Sequence, residues 1–200
     1  MILKTHWWYW TKGLSKELCD DIKNFALQKK IEEAKIASTK TEEDLKKQKQ
    51  IIRDSQLVWL KEEWIYREIE HFIYDANMQA NWNFNVERIE DMQFTIYHNR
   101  GFYDWHTDQG EEPNVEGDYK GKIRKLSMSI LLNDPKEFQG GDLQFDLRNT
   151  YDGKPNILIP EMKEKGSIVV FPSFLWHRVV PVIKGTRYSL VCWSVGDFYK

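Results

Sequence analysis

Apolar residues near the start of the chain recur every three or four positions, the spacing of one face of an α-helix. In the segment SKELCDDIKNFALQ this face is formed by Leu18, Ile22, Phe25 and Ala26. Ser15 stands just before it, and a serine there can accept a hydrogen bond from an unpaired backbone N–H of the first turn. The pattern predicts a helix that begins directly after Ser15.

A second apolar face of the same period predicts a longer helix over residues 55–80. Its members are Val58, Leu60, Trp64, Ile65, Ile69, Phe72 and Ile73. Between the two helices, residues 29–53 are mostly Lys, Glu and Gln, which indicates a solvated helix extension or a mobile connector. The aromatic run from Trp7 to Trp10 is better explained as a strand packed on a sheet than as an aromatic platform.

After residue 80 the pattern changes to short runs of β-branched and aromatic residues, separated by clusters of Gly, Pro, Asn and Asp. The predicted strands cover residues 92–98, 125–132, 142–147, 166–171, 178–182 and 186–195. Helices followed by many short strands favour a helix-backed sandwich or jelly roll over an alternating parallel sheet. We expect a mostly β fold with flanking N-terminal helices.

The length of 200 residues suits a single domain. We expect one domain over residues 1–200, in which residues 1–80 give helical support and residues 81–200 form the jelly-roll core. The polar stretch QGEEPNVEGDYKGK, residues 109–122, should be a surface loop.

Charge and cysteine content narrow the classes of function. The formal net charge is −2, and no basic stripe is visible, which disfavours a nucleic-acid partner. Only Cys19 and Cys192 are present, so we expect a reducing compartment, the cytoplasm, or the host cytoplasm for a viral chain. The first residues do not resemble a secretory signal, and no stretch approaches the roughly 18 apolar residues that span a bilayer.

Two histidines and one aspartate form a candidate metal site: His106 and Asp108 in YDWHTD, and His177 in FPSFLWHRVV. Two imidazoles and a carboxylate can occupy one face of an octahedral Fe(II) and leave three positions for a co-substrate and O2. His106 and Asp108 are two positions apart, so they share a face of an extended segment. Each motif alone is weak, because His-x-Asp pairs are frequent and His177 could equally be a packed core histidine.

A candidate co-substrate clamp lies ten positions after the second histidine. Arg187 in TRYSLVCW can hold the far carboxylate of a dicarboxylic acid through two parallel hydrogen bonds. Strand alternation puts Ser189 on the same face, and it places Tyr97 with Gln93 and Thr95 on one face of the strand predicted at 92–98. Taken alone, Arg187 could be a structural ion-pair partner.

The segments that carry these residues resemble the Fe(II)/2-oxoglutarate-dependent dioxygenases of the prolyl 4-hydroxylase-like branch. The chain is most similar to small hydroxylase-like proteins of marine tailed phages, with the bacterial PKHD-type hydroxylases as further relatives. The resemblance covers about residues 53–200 and rests on IRDSQLVWL, QFTIYHNRGFYDWHTD, RKLSMSILLND, GGDLQF, GSIVVFPSFLWHRVVPV and GTRYSLVCW.

The resemblance implies a double-stranded β-helix, the cupin-like jelly roll. It places His106, Asp108 and His177 on the iron ligands and Arg187 on the partner of the 2-oxoglutarate C5 carboxylate. Ser189 and Tyr97 fall on accessory co-substrate contacts. The implied cofactors are Fe(II), 2-oxoglutarate and O2, and the resemblance allows ascorbate as an accessory reductant. Collagen-type enzymes carry lysine where this chain has Arg187, so collagen specificity does not transfer.

The implied activity is hydroxylation of an unactivated C–H bond with decarboxylation of 2-oxoglutarate to succinate. A peptidyl prolyl residue is the favoured substrate. Hydroxylation of a free amino acid or another small metabolite is the alternative within the same class. A non-catalytic jelly-roll binding module is the alternative in a different class, and a zinc hydrolase could also use two histidines and an aspartate. Neither of these needs the Arg-x-Ser pair.

Overall fold

The computed structural model describes residues 3–36, 40–147, 157–158, 162 and 164–198. Three α-helices lie in these residues: α1 (Lys16–Leu27), α2 (Glu42–Ile51) and α3 (Glu63–Gln79). The strands are β1 (Trp8–Trp10), β2 (Glu32–Glu33), β3 (Arg53–Asp54), β4 (Gln56–Leu60), β5 (Arg88–Ile89), β6 (Met92–Tyr97), β7 (Phe102–His106), β8 (Lys122–Leu131), β9 (Phe138–Gly140), β10 (Leu143–Asp146), β11 (Ile157–Leu158), β12 (Ile168–Pro172), β13 (Trp176–Val179), β14 (Val182–Gly185) and β15 (Arg187–Asp197).

The strands form two main antiparallel sheets. The large sheet has the order β1-β12-β8-β15-β6-β4-β2, and β5 pairs with β15 at its side. The small sheet has the order β11-β10-β13-β7-β3, and β9 and β14 form a separate pair. An inner apolar cluster joins the two sheets, with Phe171 and Tyr97 from the large sheet and Phe145 and Val179 from the small one. The result is the mostly β jelly roll that the sequence predicted.

The helices α1 and α3 cover the outer face of the large sheet. Cys19 and Ile22 of α1, together with Ile69 and Ile73 of α3, are fully buried in one apolar cluster with residues of β6, β8, β12 and β15. Burying such side chains stabilises the fold by about 1.5–3 kcal/mol each. Ser15 caps α1 as predicted, because its side chain accepts a hydrogen bond from the backbone N–H of Leu18.

The predicted helix over residues 55–80 is wrong in its first part. Residues Gln56–Leu60 form β4, and α3 begins only at Glu63. Val58 and Leu60 are two apart, so they fit a strand period as well as a helical one. These residues form a strand because they pair with β6, where Val58 lies opposite Phe94.

The described residues of the charged segment, 29–36 and 40–53, are more ordered than the sequence indicated. Thr41 and Asp44 form a reciprocal capping box at the start of α2. Gln48 of α2 is 2% exposed, and its carboxamide donates to the carbonyls of Ala34 and Arg53 and accepts from the N–H of Ile36. These hydrogen bonds fix the segment against the beginning of β3, so the interpretation as a solvated extension or mobile connector was wrong.

Most predicted strands are confirmed within a few residues, and one is misplaced. The strand predicted at 178–182 is divided into β13, which begins earlier at Trp176, and β14, which begins at Val182. Pro181 lies between them and has no N–H for a sheet ladder, which explains the break. Residues 109–121 carry turns and bends, and β8 begins at Lys122.

Candidate active site

A cavity of about 420 Å³ opens between the two sheets, within the usual size range of small-molecule sites. The small sheet contributes β7 and β13 to its wall, and the large sheet contributes alternate residues of β6 and β15 together with Arg124 and Ser129 of β8. On β15 the lining residues are Arg187, Ser189, Val191 and Trp193. Their neighbours Leu190 and Cys192 point into the core under the helices, as alternation requires.

The structure brings His106, Asp108 and His177 together at one wall of this cavity. His106 ends β7 and pairs directly with His177 of β13, while Asp108 follows two residues after β7. One ligand atom from each residue lies within 4.8 Å of the others. Among the described residues, this is the one group of three or more His, Cys, Asp or Glu side chains that could hold a metal ion.

Backbone carbonyls orient both imidazoles. The Nδ1 of His106 lies 2.7 Å from the carbonyl oxygen of Asp104, and the Nδ1 of His177 lies 2.9 Å from that of Leu175. A carbonyl only accepts, so each Nδ1 carries the proton and each Nε2 keeps a free lone pair. Burial, reinforced by the neighbouring His177, lowers the pKa of His106 to about 3, so its ring is neutral and able to bind a metal.

Asp108 is held in place by two serines that sequence reasoning missed. The Oγ of Ser127 donates to an Asp108 carboxylate oxygen over 2.7 Å and lies 2.9 Å from the Oγ of Ser173. The backbone N–H of Asp108 donates to the carbonyl of Ser173. Burial on its own would raise the pKa of Asp108, but His177 and His106 hold it at about 2, so the carboxylate is ionised. Ser127 and Ser173 lie in the motifs RKLSMSILLND and GSIVVFPSFLWHRVVPV, but neither motif indicates that its serine contacts Asp108, because the contacts join separate segments.

Arg187 lies in the same cavity and is 3% exposed. Its Nη1 donates to the Oγ of Ser189 over 3.1 Å, and its guanidinium stands 5.6 Å from the ring centre of Tyr97. No carboxylate of a described residue forms an ion pair with it, and burial lowers its pKa. A buried guanidinium without a protein counter-ion is suited to bind the carboxylate of a ligand.

The Gly-Gly-Asp motif gives this arginine its space. Gly140 and Gly141 both have positive φ, 75° and 69°. A Cβ atom on Gly141 would stand 2.9 Å from the Cδ of Arg187, too close for a side chain at that position. Glycine therefore permits the backbone turn and the close approach to the arginine side chain.

Arg53 and Tyr103 form a stacked column above the first histidine, and the sequence did not identify either of them. The ring of Tyr103 stacks on His106 with centroids 3.5 Å apart, and the guanidinium of Arg53 lies 4.5 Å from the centre of the Tyr103 ring. Arg53 is the second residue of the motif IRDSQLVWL, which was the available signal. Lys35 and Ile36 of the charged segment also line the cavity.

Of the tryptophans close to the metal-site residues, Trp193 reaches the cavity wall. The guanidinium of Arg124 lies 4.0 Å from the centre of its ring and forms a two-point hydrogen-bonded pair with Glu90. Trp105 instead stacks on Arg178. His98 hydrogen-bonds to Gln56 and Thr186.

No helix among the described residues combines the length and the apolar character needed to span a bilayer.

A jelly roll that sets two histidines and an aspartate opposite a buried arginine defines the class of Fe(II)/2-oxoglutarate oxygenases. Residues 92–195 match the model of the 2OG-Fe(II) oxygenase superfamily, and the chain belongs to this family. Membership implies Fe(II), 2-oxoglutarate and O2 as cofactors. The donor set of the cavity fits them, with two imidazole nitrogens and one carboxylate for the metal and a buried guanidinium for a dicarboxylate.

Curated relatives are PKHD-type hydroxylases. The chain is 30% identical to the PKHD-type hydroxylase PiuC of Pseudomonas aeruginosa over 129 residues, which are 61% of this chain and 54% of the relative. It is 31% identical to a PKHD-type hydroxylase of Xylella fastidiosa over 104 residues, 50% of this chain and 42% of the relative. The chain thus spans about half the length of the curated relatives that it matches.

Solved structures of prolyl hydroxylases share the fold. A prolyl-4-hydroxylase of Pseudomonas putida superposes with a TM-score of 0.67 and 21% identity, over 95% of this chain and 93% of that one. The viral collagen prolyl hydroxylase of Paramecium Bursaria Chlorella virus-1 superposes with a TM-score of 0.66 and 16% identity, over 96% and 97% of the two chains. At these identities the likeness establishes the double-stranded β-helix fold.

Proposed function

We propose that this protein is a 2-oxoglutarate-dependent dioxygenase that hydroxylates an unactivated C–H bond, with conversion of 2-oxoglutarate to succinate and CO2. The observation that carries the proposal is the presence, in one cavity, of a His-Asp-His cluster and a buried arginine that forms no ion pair with a carboxylate of the described residues. A pure binding module would have no use for both. A zinc hydrolase would leave the arginine without a ligand.

The roles of the side chains follow from their chemistry. His106 and His177 would bind Fe(II) through the Nε2 atoms that their carbonyl-bonded Nδ1 atoms leave free, and Asp108 would bind it as a carboxylate. Arg187 and Ser189 would hold the C5 carboxylate of 2-oxoglutarate, with the Tyr97 hydroxyl as a further contact. Bound Fe(II) and 2-oxoglutarate supply the activation of O2. The protein orients them and limits the access of water through its aromatic wall.

The substrate that we favour is a peptidyl prolyl residue. One structural neighbour is a prolyl hydroxylase in complex with a hypoxia inducible factor peptide fragment, and others are named prolyl hydroxylases. Trp59 also lines a second hollow of about 360 Å³, whose other described lining residues are Lys61, Glu90, Asp91 and Tyr119. Two neighbouring hollows that share a wall residue suit an extended chain better than a compact metabolite. The separate, unpaired cysteines Cys19 and Cys192 fit a reducing compartment such as the cytoplasm.

Succinate production tests the proposal. The protein is incubated with Fe(II), 2-oxoglutarate, ascorbate and O2, and succinate is quantified. Alanine at His106, Asp108 or His177 should reduce succinate to the level without protein and should also abolish binding of Mn(II). The control is His71→Ala, because His71 lies exposed on α3. Unchanged succinate production in any of the three variants would remove that residue from the proposed site.

A further inference from the structure

Arg53 remains unexplained after the metal and 2-oxoglutarate have been assigned their residues. Its side chain lines the cavity, and the residue is 6% exposed. The Nε donates to the Oγ of Ser55, but the buried Nη2 has no hydrogen-bond partner, and no described carboxylate forms an ion pair with this guanidinium. A buried charge that lacks a counter-ion is costly, so a ligand that pairs with Nη2 would bind strongly.

The charges of the cavity indicate the chemistry of that ligand. Among the described residues that line it, four are cationic, Lys35, Arg53, Arg124 and Arg187, whereas Asp108 is the one carboxylate. A divalent iron and Arg187 together balance Asp108 and the dianion of 2-oxoglutarate, and Arg124 is paired with Glu90. Arg53 and the exposed Lys35 are left as surplus positive charge, which favours an anionic group on the substrate.

Arg53 is fixed in place before any substrate arrives. Its carbonyl accepts a hydrogen bond from Gln48, its Nε is bound to Ser55, and its guanidinium plane lies over Tyr103. A second donor in the same cavity, the buried indole N–H of Trp193, also has no acceptor. The cavity therefore offers unpaired donors from both sheets, Arg53 of β3 and Trp193 of β15, to a ligand that brings only acceptor oxygens, as a carboxylate does.

We propose that Arg53 binds a carboxylate of the substrate, so that the preferred substrate is a peptide with an acidic group close to the hydroxylated position. The carboxylate belongs either to an Asp or Glu side chain or to the C-terminus of the peptide. This inference rests on the proposed function. The acidic residues Glu111 and Glu112 of the loop after Asp108 are exposed and lie outside the cavity lining, where solvent and salt weaken their repulsion.

The test uses a tryptic peptide pool from a bacterial lysate. One half is left untreated, and in the other half all carboxyl groups are converted to methylamides with carbodiimide and methylamine. Each half is incubated with the protein, Fe(II), 2-oxoglutarate, ascorbate and O2. Mass spectrometry then measures one-oxygen gains at residues other than Met and Trp, with His106→Ala as the blank. Affinity for 2-oxoglutarate is measured separately in the presence of Mn(II).

The wild-type protein should modify the untreated pool at least tenfold faster than the amidated pool. Arg53→Gln should bring that ratio close to one with unchanged 2-oxoglutarate affinity, and Arg53→Lys, which keeps the charge, should retain most of it. Arg88→Gln is the matched control, since Arg88 is an exposed strand arginine in β5, and it should behave as wild type. The most strongly modified peptides, resynthesised with Glu→Gln or with a C-terminal amide, identify which carboxylate is bound.

Two results would overturn the inference. The first is a wild-type ratio near one. The second is loss of 2-oxoglutarate affinity in Arg53→Gln with the ratio retained, which would place Arg53 at the co-substrate end of the cavity. Absence of any one-oxygen gain in both pools, while succinate still forms, would instead refute the peptide substrate, and the inference would fall with it.

Discussion

The two faces of the large sheet differ in almost everything although they belong to the same strands. On the helix face, Phe94, Leu190 and Cys192 are fully buried among apolar neighbours. On the cavity face, Thr95 next to Phe94 and Ser189 next to Leu190 are as deeply buried but polar. Burial of apolar side chains stabilises the fold, whereas buried polar groups with open donors stabilise it only when a ligand pairs with them. The helix face therefore stabilises the fold, and the cavity face supplies the polar groups of the proposed site.

The largest change, in the free energy of unfolding, is expected from Phe94→Ala on the helix face. Phe94 has no exposed surface and stacks on Tyr188 with ring centroids 5.7 Å apart. Removal of a buried phenylalanine ring lowers the free energy of unfolding by about 3–5 kcal/mol. Urea denaturation followed by tryptophan fluorescence measures the change. The exposed β14 residue Ile183 gives the control, since Ile183→Ala should change stability by less than about 0.5 kcal/mol. A loss below about 1 kcal/mol for Phe94→Ala would show that the helix face is not the stabilising face.

The alternation that produces the two faces could be predicted from the sequence, and so could much of the site. Strand alternation, read from the sequence, assigns Arg187 and Ser189 to one face of the strand and Leu190 and Cys192 to the other. The structure places the two pairs on these opposite faces. The sequence also predicted that His106 and Asp108 lie together, and they do, although β7 ends at His106 and Asp108 lies in the bend after it. The helix cap at Ser15 was equally local. Features that depend on neighbours a few residues away were therefore accessible without coordinates.

Features that depend on pairing between distant segments were not accessible. The contact of Ser127 with Asp108 joins β8 to the residues after β7, and the sequence of neither segment predicts it. The position of Arg53 depends on Gln48, which fixes a charged segment that composition alone describes as solvated. Residues 56–60 fit both a helical and a strand period, and they form a strand because they pair with β6 of the large sheet.

A second prediction separates binding from stability on the cavity face. Arg187→Met removes a buried charge that no carboxylate in the described part of the chain pairs with, so the free energy of unfolding of the ligand-free protein should be unchanged or higher. Affinity for 2-oxoglutarate in the presence of Mn(II) should fall by roughly 2–5 kcal/mol, since the ligand carboxylate would then be buried without its partner. Calorimetric titration under nitrogen measures the affinity.

Arg178→Met is the matched control for this variant. Arg178 is a partly buried arginine of β13 that bonds to Gln144 and stacks on Trp105, so its loss should leave 2-oxoglutarate binding unchanged. An affinity of Arg187→Met within twofold of the wild type would contradict the assignment of the clamp. A large loss of stability would show that the cavity face, too, holds the fold together.

The smallest effect, a loss of metal affinity, is expected at Ser127, which would contact neither the metal nor 2-oxoglutarate directly. Ser127→Ala deletes the hydroxyl that donates to Asp108 and leaves the carboxylate free to rotate. Loss of such a supporting hydrogen bond lowers metal affinity by about 10–100-fold. Mn(II) binding, measured by competition with a chelator, reports the change.

Ser129 lies two residues further along the same strand and face, so Ser129→Ala controls for the loss of a buried hydroxyl and should retain metal affinity. Equal affinities in the two variants would mean that β13 and the carbonyl-bonded histidines orient the metal site without help from the large sheet. A difference confined to Ser127 would show that the polar face of the sheet acts on the metal through Asp108.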